Sequence, residues 1–144
     1  MVDVKEVPLE KLTIDQLNYL GKQINQEISN YSSYYSSLKI ALNKFLDNKE
    51  YIKDLRNYQD KEILVPMTSS LYIPGKYSDV NRLMVEIGAN FFIETNIDKA
   101  DKFCDRKIES IKKNIDQIDW LIQNKNVQMN AVNQHLISKQ LNTK

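Results

Sequence analysis

The stretch INQEISNYSSYYSSLKIALNKFLDNKEYI, residues 24–52, places apolar or aromatic side chains at alternating steps of four and three residues, with Lys49 as the polar exception. With the residues just upstream, it forms a heptad ladder. One heptad position holds Ile14, Ile28, Tyr35 and Leu42, and the other holds Leu17, Ile24, Tyr31, Leu38, Phe45 and Ile52. A heptad repeat of this length is typical of a coiled-coil seam, the stripe along which one helix packs against another. Such a structure encloses little space, so we expect function to lie on its surfaces.

A second ladder of similar length occupies the C-terminal part of the chain. One heptad position holds Ile108, Ile115, Ile122, Met129 and Leu136, and the other holds Cys104, Ile111, Ile118 and Val132. We predict helix 1 over residues 13–60, with Thr13 as its N-cap, and helix 2 over residues 97–144. Because each helix alone would expose its stripe to water, we expect the two to pair antiparallel within one domain, residues 1–144.

The pairing of the two ladders can be predicted residue by residue. An alignment that places Leu38 opposite Ile118 also places Phe45 opposite Ile111 and Ile24 opposite Val132, with Lys125 near Tyr31. A polar residue on a seam often fixes the register, and we assign that role to Lys125 as a hypothesis. Gly21 also falls on the seam, and the pattern favours a loosened helix end there over a close approach of another backbone.

The middle segment, residues 61–96, changes its period and predicts β-structure. Four short β-prone runs lie at 63–67, 71–73, 83–87 and 91–94, with Pro74-Gly75 as a predicted turn and Gly88-Ala89-Asn90 as a predicted hairpin loop. The fold class is therefore α+β: a long antiparallel coiled-coil hairpin with two short β-hairpins between its helices. Strands this short expose edges and an apolar face, which predicts that other chains complete them.

Composition argues against several kinds of function. The formal net charge is +1, with no basic patch of the kind that nucleic acid requires. Cys104 is the only cysteine and lies on the seam, so we expect a buried thiol and a reducing, cytoplasmic environment; an additional nuclear pool is left open. His135 is the only histidine, and the carboxylates stand at ion-pair spacing. We expect no enzyme, no cofactor, no metal site and no membrane span.

The far ends of the two ladders are apolar but depart from the heptad pattern. We interpret this end as a frayed, pliable surface for binding non-native chains. The candidate client-binding residues are Leu9, Leu12, Ile14, Leu17, Leu20, Val132, Leu136, Ile137 and Leu141. Trp120 lies off the seam; we favour a partly exposed aromatic ring covered by neighbouring side chains over an exposed contact for a partner or client.

The blocks EILVPMTSSLYIPGK (62–76) and VEIGANFFIE (85–94) resemble an α-class subunit of prefoldin, of the subunit-five type. The resemblance spans nearly the whole chain, although only these blocks are specific. It implies a heterohexamer with one further α-class and four β-class subunits, whose strands form a double β-barrel platform that carries six coiled coils. It also implies ATP-independent capture of unfolded actin and tubulin at the coiled-coil ends, and delivery to the cytosolic group II chaperonin.

Under this resemblance the central strands serve subunit assembly. The candidate assembly residues are Ile63, Leu64, Val65, Met67, Leu71, Tyr72, Ile73, Leu83, Val85, Ile87, Phe91, Phe92 and Ile93. Two alternatives stay open. One is a structural or tethering coiled coil without chaperone activity, which would leave the central strands without a purpose. The other is a nucleic-acid-binding helical arm, since residues 120–144 carry three lysines and no acid.

Overall fold

A computed structural model, which describes residues 8–142, contains two long helices and two small antiparallel β-hairpins, so the predicted fold class is confirmed. The ends of the predicted domain, residues 1–7 and 143–144, lie outside the described residues. The helices and strands are α1 (Ile14–Asp54), β1 (Glu62–Pro66), β2 (Tyr72–Lys76), β3 (Leu83–Gly88), β4 (Phe91–Thr95) and α2 (Ile97–Asn142), with short 3₁₀ turns at Leu9–Lys11 and Leu55–Tyr58.

The chain divides into two compact units. The terminal unit is the described part of Met1–Lys39 and Lys113–Lys144, and the hairpin unit is Ile40–Lys112. Each unit therefore holds one portion of α1 packed against one portion of α2, and the hairpin unit holds all four strands.

Side-chain caps fix the first residue of each helix. The Thr13 hydroxyl accepts a hydrogen bond from the Gln16 backbone N–H (3.2 Å), and the Gln16 side chain accepts one from the Thr13 N–H (2.9 Å). This reciprocal capping box satisfies two amides that a helix start leaves without partners. The Asn96 side chain likewise accepts from the Lys99 N–H (2.9 Å) at the start of α2, a cap that our reading of the sequence missed.

Helix α1 ends at Asp54, six residues before the predicted boundary. The chain continues through the 3₁₀ turn and leaves the helical conformation at Gln59. The Gln59 side chain then bridges to the segment before β3: it donates to the Ser78 carbonyl (2.7 Å) and accepts from the Val80 N–H (3.2 Å). Asp60 adopts a positive φ of 63°, which Asp tolerates better than most residues. No glycine or proline marks this turn in the sequence, so the periodicity alone could not place it.

Burial follows the predicted seam in both units. In the terminal unit the buried seam residues are Leu17, Ile24, Leu38, Ile115, Ile118 and Val132; in the hairpin unit they are Leu42, Cys104 and Ile108. Leu17 and Val132 are the most completely buried large side chains, at 0% and 1% exposed. The burial of Leu17 and Val132 shows that the seam is closed near Gly21, where the sequence analysis favoured a loosened helix end.

Gly21 corrects the prediction of a loosened end. It is buried, and a methyl group added to it would lie 3.6 Å from the Met129 Cε atom and 3.8 Å from Val132 Cγ1. Side chains of α2 therefore pack over Gly21 at ordinary van der Waals distance, which an alanine at this position would also allow. The interpretation that the sequence analysis placed second, a close approach of another backbone, is also wrong, because the three nearest atoms to the added methyl belong to side chains.

Two lysines at seam positions find acidic partners on the opposite helix. In the hairpin unit, Lys49 forms ion pairs with Asp105 and with Asp101 (3.5 Å), and the hydrogen bond that its ammonium donates to Asp105 raises the pKa of Lys49. In the terminal unit, Lys125 lies 2.5 Å from Glu27. Glu27 lies four residues before Tyr31, about one helical turn, and supplies a carboxylate partner that the prediction of Lys125 near Tyr31 did not include. The predicted pairing of Ile24 with Val132 is kept, since both belong to one buried cluster with Leu17.

The two β-hairpins form separate two-stranded sheets, β1–β2 and β3–β4. Gly88 pairs with Phe91, so Ala89 and Asn90, both at positive φ, form the predicted loop of the second hairpin. The predicted turn at Pro74-Gly75 is wrong, because both residues pair within β2, opposite Leu64 and Ile63. An edge strand tolerates a proline. Gly75 leaves room for Val65, whose Cγ2 atom would lie 3.0 Å from an added Cβ.

We expect Gly21→Ala to stabilise the terminal unit by up to ~1 kcal/mol, because alanine favours the helix and the added methyl meets only ordinary van der Waals contacts. Urea unfolding monitored by helical circular dichroism measures this change. Gly75→Ala is the matched control, and we expect it to destabilise the first hairpin because its methyl would press on Val65. A lower free energy of unfolding for Gly21→Ala would contradict the packing described here.

Candidate interaction surfaces

The two β-hairpins carry a large exposed apolar area, which we call the hairpin surface. Ten of the thirteen predicted assembly residues are exposed: Leu64, Val65, Met67, Leu71, Tyr72, Ile73, Ile87, Phe91, Phe92 and Ile93. The other three, Ile63, Leu83 and Val85, are half-buried. Met84 is also exposed, at 63%, although the sequence analysis did not select it. Apolar patches this rich in aromatic and β-branched side chains mark sites of protein association.

Hydrogen bonding points to the same conclusion as burial. Each strand has one neighbour among the described strands, so both edges of both sheets are unpaired in the single chain. Isolated two-stranded hairpins are marginally stable in water, and open edges accept further strands. The hairpins are therefore suited to pairing with strands of other chains.

An irregularity and an ion pair shape the second hairpin. The pairing slips between Glu86 and Gly88, which leaves Ile87 as a bulged residue. At the other end, Arg82 donates two hydrogen bonds to the Glu94 carboxylate, at 3.1 and 2.7 Å. This bidentate contact holds the pKa of Glu94 below its ordinary value of 4.5. The pair joins the segment that leads into β3 to β4, although both side chains are more than half exposed.

An open groove of about 400 Å³ runs between β3 and the helices of the hairpin unit. Phe45 and Tyr51 of α1, Phe103 and Cys104 of α2, and Met84 of β3 contribute to its lining. Cys104 is 4% exposed and unpaired, as predicted, and burial raises the pKa of its thiol. The thiol is therefore held in its neutral form, which suits a packing role.

The nine predicted client-binding residues divide into three groups by burial. Leu17 and Val132 lie in the inter-helix core and offer no free surface. Leu9, Leu12, Ile14, Leu20 and Leu136 are half-buried, and all of these except Ile14 pack against that core. Ile137 and Leu141 are exposed, at 58% and 71%. Contact with client stays a prediction, and the exposed pair can provide it without unfolding of the core.

Trp120 is 64% exposed, so the interpretation that its neighbours cover it is wrong. It forms a shallow apolar patch with Leu121 on α2. Val127, one heptad further along, is 67% exposed, and the sequence analysis did not single it out. Trp120, Val127 and Leu141 share the heptad position that is farthest from the seam. A search for apolar residues at that outward position would have found all three.

Two further features were sought among the described residues. Neither described helix has a stretch long and apolar enough to cross a membrane. Within residues 8–142, no three His, Cys, Asp or Glu side chains cluster in a way that could hold a metal ion.

The fold and its surfaces define an antiparallel helical hairpin that presents two unfinished β-hairpins. Residues 24–141 match the Prefoldin family, described as prefoldin subunit. The chain belongs to this family and is a prefoldin chaperone subunit, which confirms the resemblance found in the sequence.

Relatives of the subunit-five type share most of their length with the chain. It is 30% identical to human prefoldin subunit 5 over 94% of the chain and 88% of that protein. It is 31% identical to the probable prefoldin subunit 5 of Dictyostelium discoideum over 94% of the chain and 84% of that protein. For the probable prefoldin subunit 5 of Schizosaccharomyces pombe the identity is 37%, over 89% of the chain and 85% of that protein.

A solved structure shares the fold. The filamentous prefoldin of Methanocaldococcus jannaschii, determined by cryo-electron microscopy, matches with a TM-score of 0.69. The match covers 78% of this chain and 93% of that one, at 16% sequence identity.

The Arg82–Glu94 pair predicts a pH dependence. Because the pKa of folded Glu94 lies below its ordinary value, the pair stabilises the second hairpin at neutral pH. This contribution is lost as the pH falls below 4.5 and through the folded pKa. Carboxyl ¹³C chemical shifts of Glu94 should show a midpoint below 4.5, and Arg82→Gln should raise it. Arg56→Gln, which removes a partner of Asp98 instead, should leave the Glu94 midpoint unchanged; an unchanged midpoint in Arg82→Gln would show that the pair is not formed.

Proposed function

We propose that this chain is one of two α-class subunits in a heterohexameric, ATP-independent holdase, together with four β-class subunits. The observation that carries the proposal is the hairpin surface. Four strands with unpaired edges and ten exposed apolar assembly residues need other chains to cover them. A double β-barrel platform formed with other prefoldin subunits would satisfy both needs at once.

The client side of the proposal rests on the terminal unit. Its exposed Ile137 and Leu141 offer apolar surface beside a well-packed core. Several such ends sharing one unfolded protein would hold it by avidity, without a tight contact at any single end. We assign actin-like and tubulin-like chains as clients, the cytosolic group II chaperonin as the recipient, and the cytoplasm as the location.

Two alternative functions are less well supported. A tether without chaperone activity needs helices that pair between chains, whereas here α1 and α2 of one chain bury each other's seam in both units. A nucleic-acid-binding arm would use the lysines of residues 120–144. Two of these three are already engaged within the terminal unit, Lys125 with Glu27 and Lys139 with the Glu10 carbonyl at 2.8 Å.

Assembly can be tested on the hairpin surface. Phe91→Ser with Phe92→Ser removes two exposed rings, so the chain should keep its helical content but fail to join co-expressed prefoldin subunits. Native mass spectrometry of the purified particle measures incorporation. Ile40→Ser, which changes an exposed apolar residue of α1 in the same unit, is the control. Unchanged incorporation of the double variant would rule out this surface as the assembly interface.

Client holding can be tested at the exposed end. Ile137→Ser with Leu141→Ser should raise the concentration of complex needed to suppress aggregation of unfolded actin about tenfold, for ~1.4 kcal/mol of lost apolar contact. Light scattering without ATP measures this concentration. Ile40→Ser removes an equally exposed apolar side chain from the hairpin unit and should have no effect. Equal losses from both variants would mean that the terminal unit has no special role in holding.

A further inference from the structure

Gly21 is the only glycine within either long helix, and the structure shows no backbone reason for it. Its φ is not positive, and the space around it would accept a methyl group in ordinary contact. Alanine would make the better helix at this position. A seam glycine that neither conformation nor packing requires suggests a role for the space that it leaves.

That space belongs to an open pocket of about 530 Å³ in the terminal unit. Gly21, Met129 and Leu136 provide its apolar lining, and the Met129 thioether reaches over the glycine. Methionine is flexible and polarisable, so a pocket lined by it can adapt to apolar side chains of different shapes. An ordinary heptad would place an apolar side chain at position 21, and the glycine leaves that part of the seam unfilled.

The rim of the pocket is polar, and its net charge is close to zero. Asp15 and Lys22 contribute one charge of each sign, while Asn18 and Asn133 contribute amides from opposite helices. Neither asparagine side chain makes a hydrogen bond with any described residue, so both amides can still donate and accept. Charge complementarity therefore favours an uncharged ligand that has amide groups of its own over an acidic peptide or nucleic acid.

We propose that the pocket bounded by Gly21 and Met129 is a binding subsite for one apolar side chain of an unfolded polypeptide, such as leucine, methionine or phenylalanine. Asn18 and Asn133 hydrogen-bond the backbone amides on either side of that side chain. The inference rests on the proposed holding function and gives it a defined contact that requires no opening of the Leu17–Val132 core.

The methionines supply a direct test. The chain has four, at positions 1, 67, 84 and 129, and Met67 and Met84 lie on the hairpins. The full complex is reconstituted with ¹³C-methyl methionine in this chain alone, and reduced, carboxymethylated α-lactalbumin is added as a permanently unfolded probe. The Met129 methyl signal should shift with the unfolded probe, and those of Met67 and Met84 should stay in place. The native, disulfide-bonded form of the same protein should move none of them.

Two variants distinguish an effect of the pocket itself from an effect of a more stable helix α1. Gly21→Ala takes up about one methylene of the space and should weaken the Met129 titration about fourfold. Asn133→Ala should also weaken it, although it leaves the Gly21 backbone untouched. Ser36→Ala, an exposed change elsewhere on α1, should leave the midpoint unchanged.

The outcomes are distinct. If the Met129 methyl signal does not shift in a complex that still suppresses aggregation, the proposed binding pocket is wrong and the proposed holding function is unaffected. A complex that suppresses no aggregation would overturn the holding function itself. A Met129 shift that depends on complex concentration without any probe would assign the pocket to a second copy of this chain, and an equal shift with the native probe would assign it to folded partners. Either result would overturn the proposal.

Discussion

Burial of one apolar stripe on each helix is the constraint on which the rest of the structure depends. An isolated helix of this length would leave its seam in water, and helical stability in proteins comes mainly from packing of such a face. The buried seam residues meet this requirement in both units, with Leu17 and Val132 almost without exposure. Because the seam takes up the periodic apolar residues, binding surfaces are confined to side chains outside it and to gaps within it.

Charged residues on the seam refine that pairing. Lys49 and Lys125 occupy positions where an apolar residue would pack better, and each finds a carboxylate on the facing helix. A slip by one turn would separate them from these partners and leave half-buried ammonium groups without a counter-charge. Such pairs add little to stability where they are exposed, but they penalise wrong registers. These lysines therefore serve the specificity of helix pairing more than its strength.

The sequence analysis identified every element with a strong period and missed those fixed by single contacts. Both ladders, four strands and the Thr13 cap followed from spacing and cap chemistry. The turn held by the Gln59 side chain did not, because glutamine is no turn signal and its partners, Ser78 and Val80, are some twenty residues away. Pro74-Gly75 led to a wrong prediction because both residues are typical of turns, although an edge strand can also accommodate them.

The candidate interaction surfaces were likewise predicted correctly in one part of the chain and incorrectly in another. The exposure of the hairpins followed from a simple count, since four short strands cannot bury their own faces. At the terminal unit, the list of candidate client-binding residues mixed seam positions with outward positions, so Leu17 and Leu141 received one role although one is buried and the other exposed. The heptad positions separate the two residues, since Leu17 lies on the seam and Leu141 lies at the position farthest from it.

The holding surface that we propose for the terminal unit must satisfy two conflicting demands, exposed apolar side chains and a stable core. Apolar side chains must be available to clients, yet an exposed stripe along a seam would collapse onto its neighbour. Keeping the seam closed and placing Ile137 and Leu141 outside it separates stability from binding. A single missing side chain at Gly21 then opens a pocket within the seam while the core beside it stays packed. A frayed helix end would achieve exposure only by giving up that core, so a closed seam with a local gap is the more economical arrangement.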